Sequence, residues 1–338
     1  MKISLLIPCH NEETAIRKSI ASWLAQTRPA DQIIVVDDSS TDGTMEILKE
    51  FKDHITIVRT PQNLGNKSYA QEFGLPFVKG EIFISTDADT LLKEDFIERV
   101  EKDFDDPSVI AVAGYVKSLR NNWLTRHRAF EYSIGQNFHK VAQSYVNFMP
   151  VIPGAAGAFR TDVFRKLLTF DHDTITEDLD FTYKLHKNGL HIHYDRQAVV
   201  FTQDPATLHC YINQMRRWFG GGWQNLLKHY NVTARPMAAL ELSLMYVEGI
   251  AFSLLMFLVP LFNVRSALVL FSFYLVVIFM LSIFASIKER RWDLLLTPFP
   301  YIFILYVTAY IFLEQFILEI ICRRKHLKWF SPLRQPDL

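Results

Sequence analysis

Between Ser266 and Ile287 the chain runs for 22 residues without a charged side chain. About 20 apolar residues in a helix cover the hydrocarbon core of a bilayer, so this run predicts a transmembrane helix. The stretch before it, 240–264, is apolar apart from Glu241 and Glu248 and predicts a second. A third stretch, 294–322, carries only Glu314 and Glu319. Residues 231–338 therefore read as a membrane region with two or three hydrophobic helices at about 240–264, 266–287 and 294–322. Residues 1–230 read as a separate water-soluble domain, with an interfacial segment at about 205–230.

The charges sharpen this division. The 36 Lys+Arg and 36 Asp+Glu cancel overall, but residues 1–230 hold 26 and 29, and residues 231–338 hold 10 and 7. Neither part has the basic footprint of a nucleic-acid binder. A hydrophobic content of 49% excludes disorder. Cys9, Cys210 and Cys322 are too scattered for a disulfide framework or a metal cluster. The apolar run Met1–Pro8 is too short for a signal peptide. The front domain is therefore expected in the cytosol, as part of an integral protein of the cell membrane. In that orientation the first span leads out to Asn263–Arg265 and the second returns to Lys288–Arg291, in keeping with the positive-inside tendency. A full third crossing would carry Arg323, Arg324, Lys325 and Lys328 outside. The alternative is a segment that turns back at Pro298 and Pro300, yet Tyr301–Leu313 offers no polar break for turning. The sequence leaves both open. Glu241 and Glu248, seven residues apart, share a helical face and suit either a polymer-lining role or a buried polar pairing.

In the front domain, short apolar runs at Lys2–Ile7, Gln32–Val36, Ile55–Val58 and Glu81–Ser85 read as strands. Helical stretches at Glu12–Gln26, Thr44–Phe51 and Ser68–Val78 lie between them. This alternation predicts a parallel sheet wrapped by helices, in which ligands bind beyond the C-terminal ends of the strands. Polar clusters fall at those ends: Cys9–Glu13, Asp37–Thr44 and Asp87-Ala88-Asp89. Asp87 and Asp89 can present hard oxygens to a divalent cation that completes its shell with phosphate. An isolated Asp-x-Asp describes a solvated acidic turn equally well. Asp37 and Asp38 could likewise cap the helix that begins near Thr44.

The order of these clusters resembles the family 2 glycosyltransferases, enzymes with the nucleotide-sugar-binding GT-A fold. The matching residues are Ile7-Pro8-Cys9-His10-Asn11-Glu12-Glu13, Val35–Thr44, Asn63-Leu64-Gly65-Asn66-Lys67 and Thr86-Asp87-Ala88-Asp89. They continue with Pro153–Arg160, Thr176-Glu177-Asp178-Leu179-Asp180 and Gln214-Met215-Arg216-Arg217-Trp218. The last, Gln-x-x-Arg-Trp, resembles the signature of the processive branch, which includes cellulose, chitin, hyaluronan and poly-N-acetylglucosamine synthases. The implied fold class is α/β, a GT-A (Rossmann-like) domain followed by C-terminal transmembrane helices.

The resemblance implies a role for each residue. Asp89, with Asp87 beside it, would hold Mg²⁺ or Mn²⁺ at the donor diphosphate. Pro8, Asn11, Glu12, Asp38, Lys67 and Asp87 would bind the donor nucleotide. Asp178 would be the general base that takes the acceptor hydroxyl's proton. Gln214, Arg217, Trp218 and Glu177 would serve the acceptor and the diphosphate, the forked guanidinium suiting phosphate oxygens and the indole suiting a sugar face. Trp218 also suits a membrane interface. The implied donor is a UDP-sugar, with UDP-N-acetylglucosamine or UDP-glucose favoured. The implied acceptor is a growing β-linked polysaccharide, or alternatively a lipid in a single-step transfer, and a non-catalytic accessory subunit is the remaining reading. Larger synthases of this branch carry membrane helices before the catalytic domain, and two or three helices are few for a polysaccharide channel. A homo-oligomer or partner subunit is therefore expected for export. At the donor loop, Ala70 is followed by Gln71, Glu72 and Phe73 where the family has Ala-x-Asn.

Overall fold

The computed structural model describes residues 1–168, 170–325 and 327; Lys328 lies outside the described residues. Eight strands form one sheet: β1 (Ile3–Cys9), β2 (Gln32–Asp37), β3 (Thr56–Arg59), β4 (Ile82–Ser85), β5 (Leu91–Leu92), β6 (Val109–Ser118), β7 (Gly157–Arg160) and β8 (His191–Thr202). Their order across the sheet is β3-β2-β1-β4-β7-β6-β8-β5. Successive side chains of a strand point to opposite faces, and β1 shows why the sheet is covered on both. Leu5 and Ile7 join Ile16, Ile20 and Trp23 of helix Ile16–Leu24 on one face. Leu6 joins Ala70 of helix Lys67–Gly74 and Phe83, Phe159 and Phe181 on the other.

The sheet is mixed, which corrects the all-parallel expectation. β1 to β4 pair in parallel, but β7 runs antiparallel to both β4 and β6, and β5 antiparallel to β8. The reason is local. The loop before β7 lies along the C-terminal edge of the sheet, where Gly154 O accepts a bond from Ser85 Oγ at 3.4 Å. β7 therefore starts opposite Ser85, where β4 ends, and runs back.

Among the described residues, three helices are long and apolar enough to cross a membrane: Pro236–Phe262, Val264–Glu289 and Pro298–Ile321. The third is continuous. Pro298 stands at its first turn, where a missing N–H costs nothing, so Pro298 and Pro300 do not turn the chain back. Carboxylates of these helices bond to the sheet domain. Glu241 accepts from Gln143, Glu289 accepts from the Tyr115 hydroxyl at 2.5 Å and pairs with Lys117 at 2.8 Å, and Glu314 pairs with Arg216 at 2.7 Å. Glu241 is half-buried on that bond, while Glu248 is exposed.

Candidate active site

β1, β2 and β4 end side by side, and the register aligns Cys9 with Asp37. Neighbouring strands lie about 4.8 Å apart, so residues just past β2 and β4 are about 10 Å apart with β1 between them. That distance separates two clusters.

Around the end of β2 the cluster is built on backbone. Asp38 is 5% exposed and accepts from Thr60 Oγ1 at 2.9 Å and from the Leu64 N–H at 2.9 and 3.1 Å. It therefore holds the 61–66 loop in place. Asn11 takes a left-handed backbone, φ 55°, and its Oδ1 accepts from the Thr41 N–H at 2.8 Å. Pro8 is buried within β1. Glu12 is buried, and its N–H donates to Thr44 Oγ1 at 2.8 Å.

Beyond β4 lies a cluster of charges. Lys67 Nζ sits 2.5 Å from Asp87 Oδ1 and 3.4 Å from Glu177 Oε1, and donates to Gly154 O at 3.4 Å. Burial works against the ammonium, but Asp87, Glu177 and Asp178 outweigh it and raise its pKa above the ordinary lysine value. Burial in turn pushes the Glu177 carboxyl up, opposed by Lys67 and Arg217. Gly154 is what lets these groups converge. A Cβ there would stand 2.9 Å from Lys67 Nζ and 3.5 Å from Asp178 Oδ2.

Glu177 and Asp178 open helix Glu177–Lys187, whose acidic first turn and basic last turn complement its dipole. Helix Leu208–Lys228 braces this start. Gln224 Oε1 accepts from the Ile175 N–H at 3.0 Å, and Asn225 Nδ2 donates to Thr176. Gly221 permits the approach, since a Cβ there would lie 2.3 Å from Thr176 Oγ1. Arg217, one turn earlier, is close enough for its charge to act on Glu177. Trp218 turns toward a different group: the buried Arg128 guanidinium lies 4.7 Å from its ring centre. Gln214 Oε1 is buried without a hydrogen-bond partner among the described residues.

The structure thus gathers Lys67, Asp87, Glu177 and Asp178 in one place, with Arg217 in electrostatic reach. Asn11, Glu12 and Asp38 form the neighbouring cluster. The sequence reading placed Gly154 in a matching motif without giving it a part, and missed Gly221, Gln224 and Asn225, which continue the helical face of Arg217 at intervals of three and four. It also missed Lys140, whose buried amine is pulled down to about 7 by burial, against the opposing charge of Asp178.

Asp87 and Asp89 supply two carboxylates on one turn, Asp89 4% exposed, and the ammonium already standing against Asp87 marks this as a place for positive charge. Such a set of hard oxygens fits Mg²⁺ or Mn²⁺. One carboxylate oxygen from each of Asp171, Asp173 and Asp180 also lies within 4.8 Å of the others. Their charge is taken up otherwise, by Lys184 at 2.8 Å, His229 at 2.7 Å and Lys228 at 2.6 to 2.7 Å.

Residues 4–168 match the family described as Glycosyl transferase family 2. They form a family 2 glycosyltransferase domain. The chain is 30% identical over 254 residues to a poly-beta-1,6-N-acetyl-D-glucosamine synthase of Staphylococcus epidermidis, across 74% of this chain and 61% of that protein. It thus spans about three fifths of that relative's length. Among solved structures it resembles the mannosyltransferase PcManGT from Pyrobaculum calidifontis in complex with GDP-Man and Mn²⁺. The TM-score is 0.66 at 19% identity, covering 92% of this chain and 87% of that one. It also resembles S. aureus TarS 1-349 in complex with UDP, with TM-score 0.52 at 16% identity, covering 94% and 92%. These likenesses show that the family 2 domain has a GT-A-like fold.

Proposed function

We propose that this protein is a membrane-anchored, inverting glycosyltransferase that extends a β-linked polysaccharide from a UDP-sugar, UDP-N-acetylglucosamine or UDP-glucose. The sheet domain, about residues 1–230, would work on the cytosolic face. The observation that carries the reading is the convergence of Lys67, Asp87, Glu177 and Asp178 around Gly154, within the field of Arg217. The relative named a poly-N-acetylglucosamine synthase and the neighbour bound to UDP support the choice of donor and product.

In this reading Asn11 and Asp38 receive the nucleoside, and the diphosphate spans the gap toward Lys67. The acceptor hydroxyl oxygen attacks the anomeric carbon while its proton passes to Asp178. The bond from that carbon to the diphosphate breaks, and UDP departs with the electron pair. Attack opposite the leaving group turns an α-linked donor into a β-linked product. Lys67 and Arg217 donate to the oxygens on which charge builds. A divalent ion held by Asp87 and Asp89 would supply Lewis-acid neutralisation of the same charge. Trp218, set by Arg128, would offer a ring to the acceptor sugar.

The test is to supply membranes holding the protein or its Asp178→Asn variant with labelled UDP-sugars and Mn²⁺ or Mg²⁺, then size the products. The expected result is a ladder that falls about 10²- to 10⁴-fold in the variant, with UDP binding retained. A single short product that partitions with lipid would replace the polymer by a glycolipid. UDP binding without turnover of any sugar would make the chain an accessory subunit. Full activity of the variant would remove Asp178 from the base role.

A further inference from the structure

Glu319 is 4% exposed near the end of the third apolar helix, Pro298–Ile321. A carboxylate in a helix of that composition is costly to bury and faces a polar partner within the protein. The partner here is Gln224. Its Nε2 donates to Glu319 Oε1 at 2.9 Å, and its Oε1 accepts from the Ile175 N–H at 3.0 Å. These two neighbours fix which way the amide faces, because a backbone N–H only donates and a carboxylate only accepts. One side chain of helix Leu208–Lys228 thus joins the third apolar helix to the backbone three residues before Asp178.

The packing of the two helices is arranged around this link. Thr308 meets Tyr211 at 3.3 Å and Glu314 pairs with Arg216 at 2.7 Å, which sets their register. On its buried face the third helix packs Ile304 and Ile311 in a cluster with Tyr211 and Met215, then turns polar with Gln315 and Glu319. The polar turn falls where helix Leu208–Lys228 has Gly220. A Cβ there would stand 2.9 Å from Gln315 Oε1 and 3.6 Å from Glu319 Oε1. The next two glycines make room for other elements, Gly221 for Thr176 and Gly222 for Tyr246 of Pro236–Phe262. Glycine is a poor helix former, yet three in succession bring two apolar helices and the residues before Asp178 against one turn.

We propose that Glu319 is a positioning residue for glycosyl transfer, holding Gln224 on Ile175 and so keeping Asp178 where the acceptor's proton is taken up, a role that rests on Asp178 being the base. Without the carboxylate, the Gln224 amide would bury an unmet N–H. By turning to another acceptor it would release Ile175, and a catalytic group misplaced by about 1 Å loses about 10²-fold in rate.

The test uses the full-length protein and its Glu319→Leu, Glu319→Gln, Gln224→Met and Glu319→Leu/Gln224→Met variants. Backbone hydrogen exchange over 171–178 should be faster in Glu319→Leu. Turnover of labelled UDP-N-acetylglucosamine or UDP-glucose with Mn²⁺ should fall about 10²-fold, with UDP affinity kept. Glu319→Gln retains an accepting oxygen and should restore both. The double variant should be no slower than Gln224→Met, because the two residues act in series. It also guards against a folding defect, since replacing both partners by apolar groups of similar shape is nearly neutral. Wild-type exchange and turnover in Glu319→Leu, a Glu319→Gln as slow as Glu319→Leu, effects that multiply in the double variant, or loss of UDP binding together with turnover would each overturn the proposal. Asp178→Asn run alongside separates it from the base reading. An active Asp178→Asn removes the base, whereas an inactive one beside a fully active Glu319→Leu removes only the role of Glu319.

Discussion

Asn225 donates to both the carbonyl and the hydroxyl oxygen of Thr176, at 3.2 and 3.0 Å. Thr176 is the residue before Glu177 and Asp178, so this one amide couples the helix that bears Arg217 to the residue proposed as base. The placement of Asp178 is therefore a property of two helices packed together rather than of its own loop.

Replacing Gly221 by Ala tests that coupling. The added methyl meets Thr176 Oγ1, and overpacking of this kind costs about 1–3 kcal/mol. Displacement of a catalytic group by about 1 Å costs about 10²-fold in rate. Gly221→Ala should lower turnover by that order and depress the melting temperature, as kinetics and thermal unfolding would record. Unchanged turnover would detach Asp178 from helix Leu208–Lys228.

Gly154→Ala places a methyl against the Lys67 ammonium and close to Asp178. Turnover should fall about 10²-fold, and titration with UDP should show weaker binding as Lys67 is pushed off its position. Wild-type affinity for UDP in this variant would show that Lys67 does not reach the diphosphate.

Asp180 is buried between Lys184, Lys228 and His229. Burial alone would raise its pKa, but these donors hold it below the ordinary carboxylate value. A depressed folded-state pKa gives stability that is present above the unfolded pKa of about 4 and is lost as the pH falls below it. Asp180→Asn should cost about 3 kcal/mol near neutral pH, and the gap to wild type should close as acid is added. Denaturant melts at pH 7 and pH 3 would measure both; a gap that persists unchanged in acid would refute the ion-pair origin.

Chelation by EDTA should abolish transfer, with recovery on adding Mn²⁺ or Mg²⁺. In Asp89→Ala the added metal should rescue little and should no longer strengthen UDP binding in calorimetry. Full transfer in EDTA would leave Lys67 and Arg217 as the whole of the charge neutralisation.

Much of this arrangement is legible in the residues. β1 to β4 announce themselves as apolar runs cut off by polar clusters, because a strand buried on both faces has few polar positions until it ends. β6, β7 and β8 do not. Gly114 interrupts the first, the second is only Gly157–Arg160, and the third mixes His191, His193, Asp195 and Arg196 with its apolar residues. The antiparallel run of β7 depends on where a loop lies and has no local signal. Of the site, carboxylates and lysine could be read from motif order, whereas Gly154 and Gly221 matter for atoms they lack. The partner of Trp218, Arg128, lies far away in the chain and could emerge only from the packing of two helices. The third apolar stretch gives its length and composition, but its neighbours only in three dimensions.

Every strand of the sheet precedes all three long apolar helices in the chain. Domains fold from the N-terminal side during synthesis, so the ribosome can deliver a finished sheet before any of these segments emerges. The surface of helix Leu208–Lys228 is then already assembled when Pro298–Ile321 leaves the ribosome. Of the three apolar segments, the last made meets both that surface and the two segments made before it.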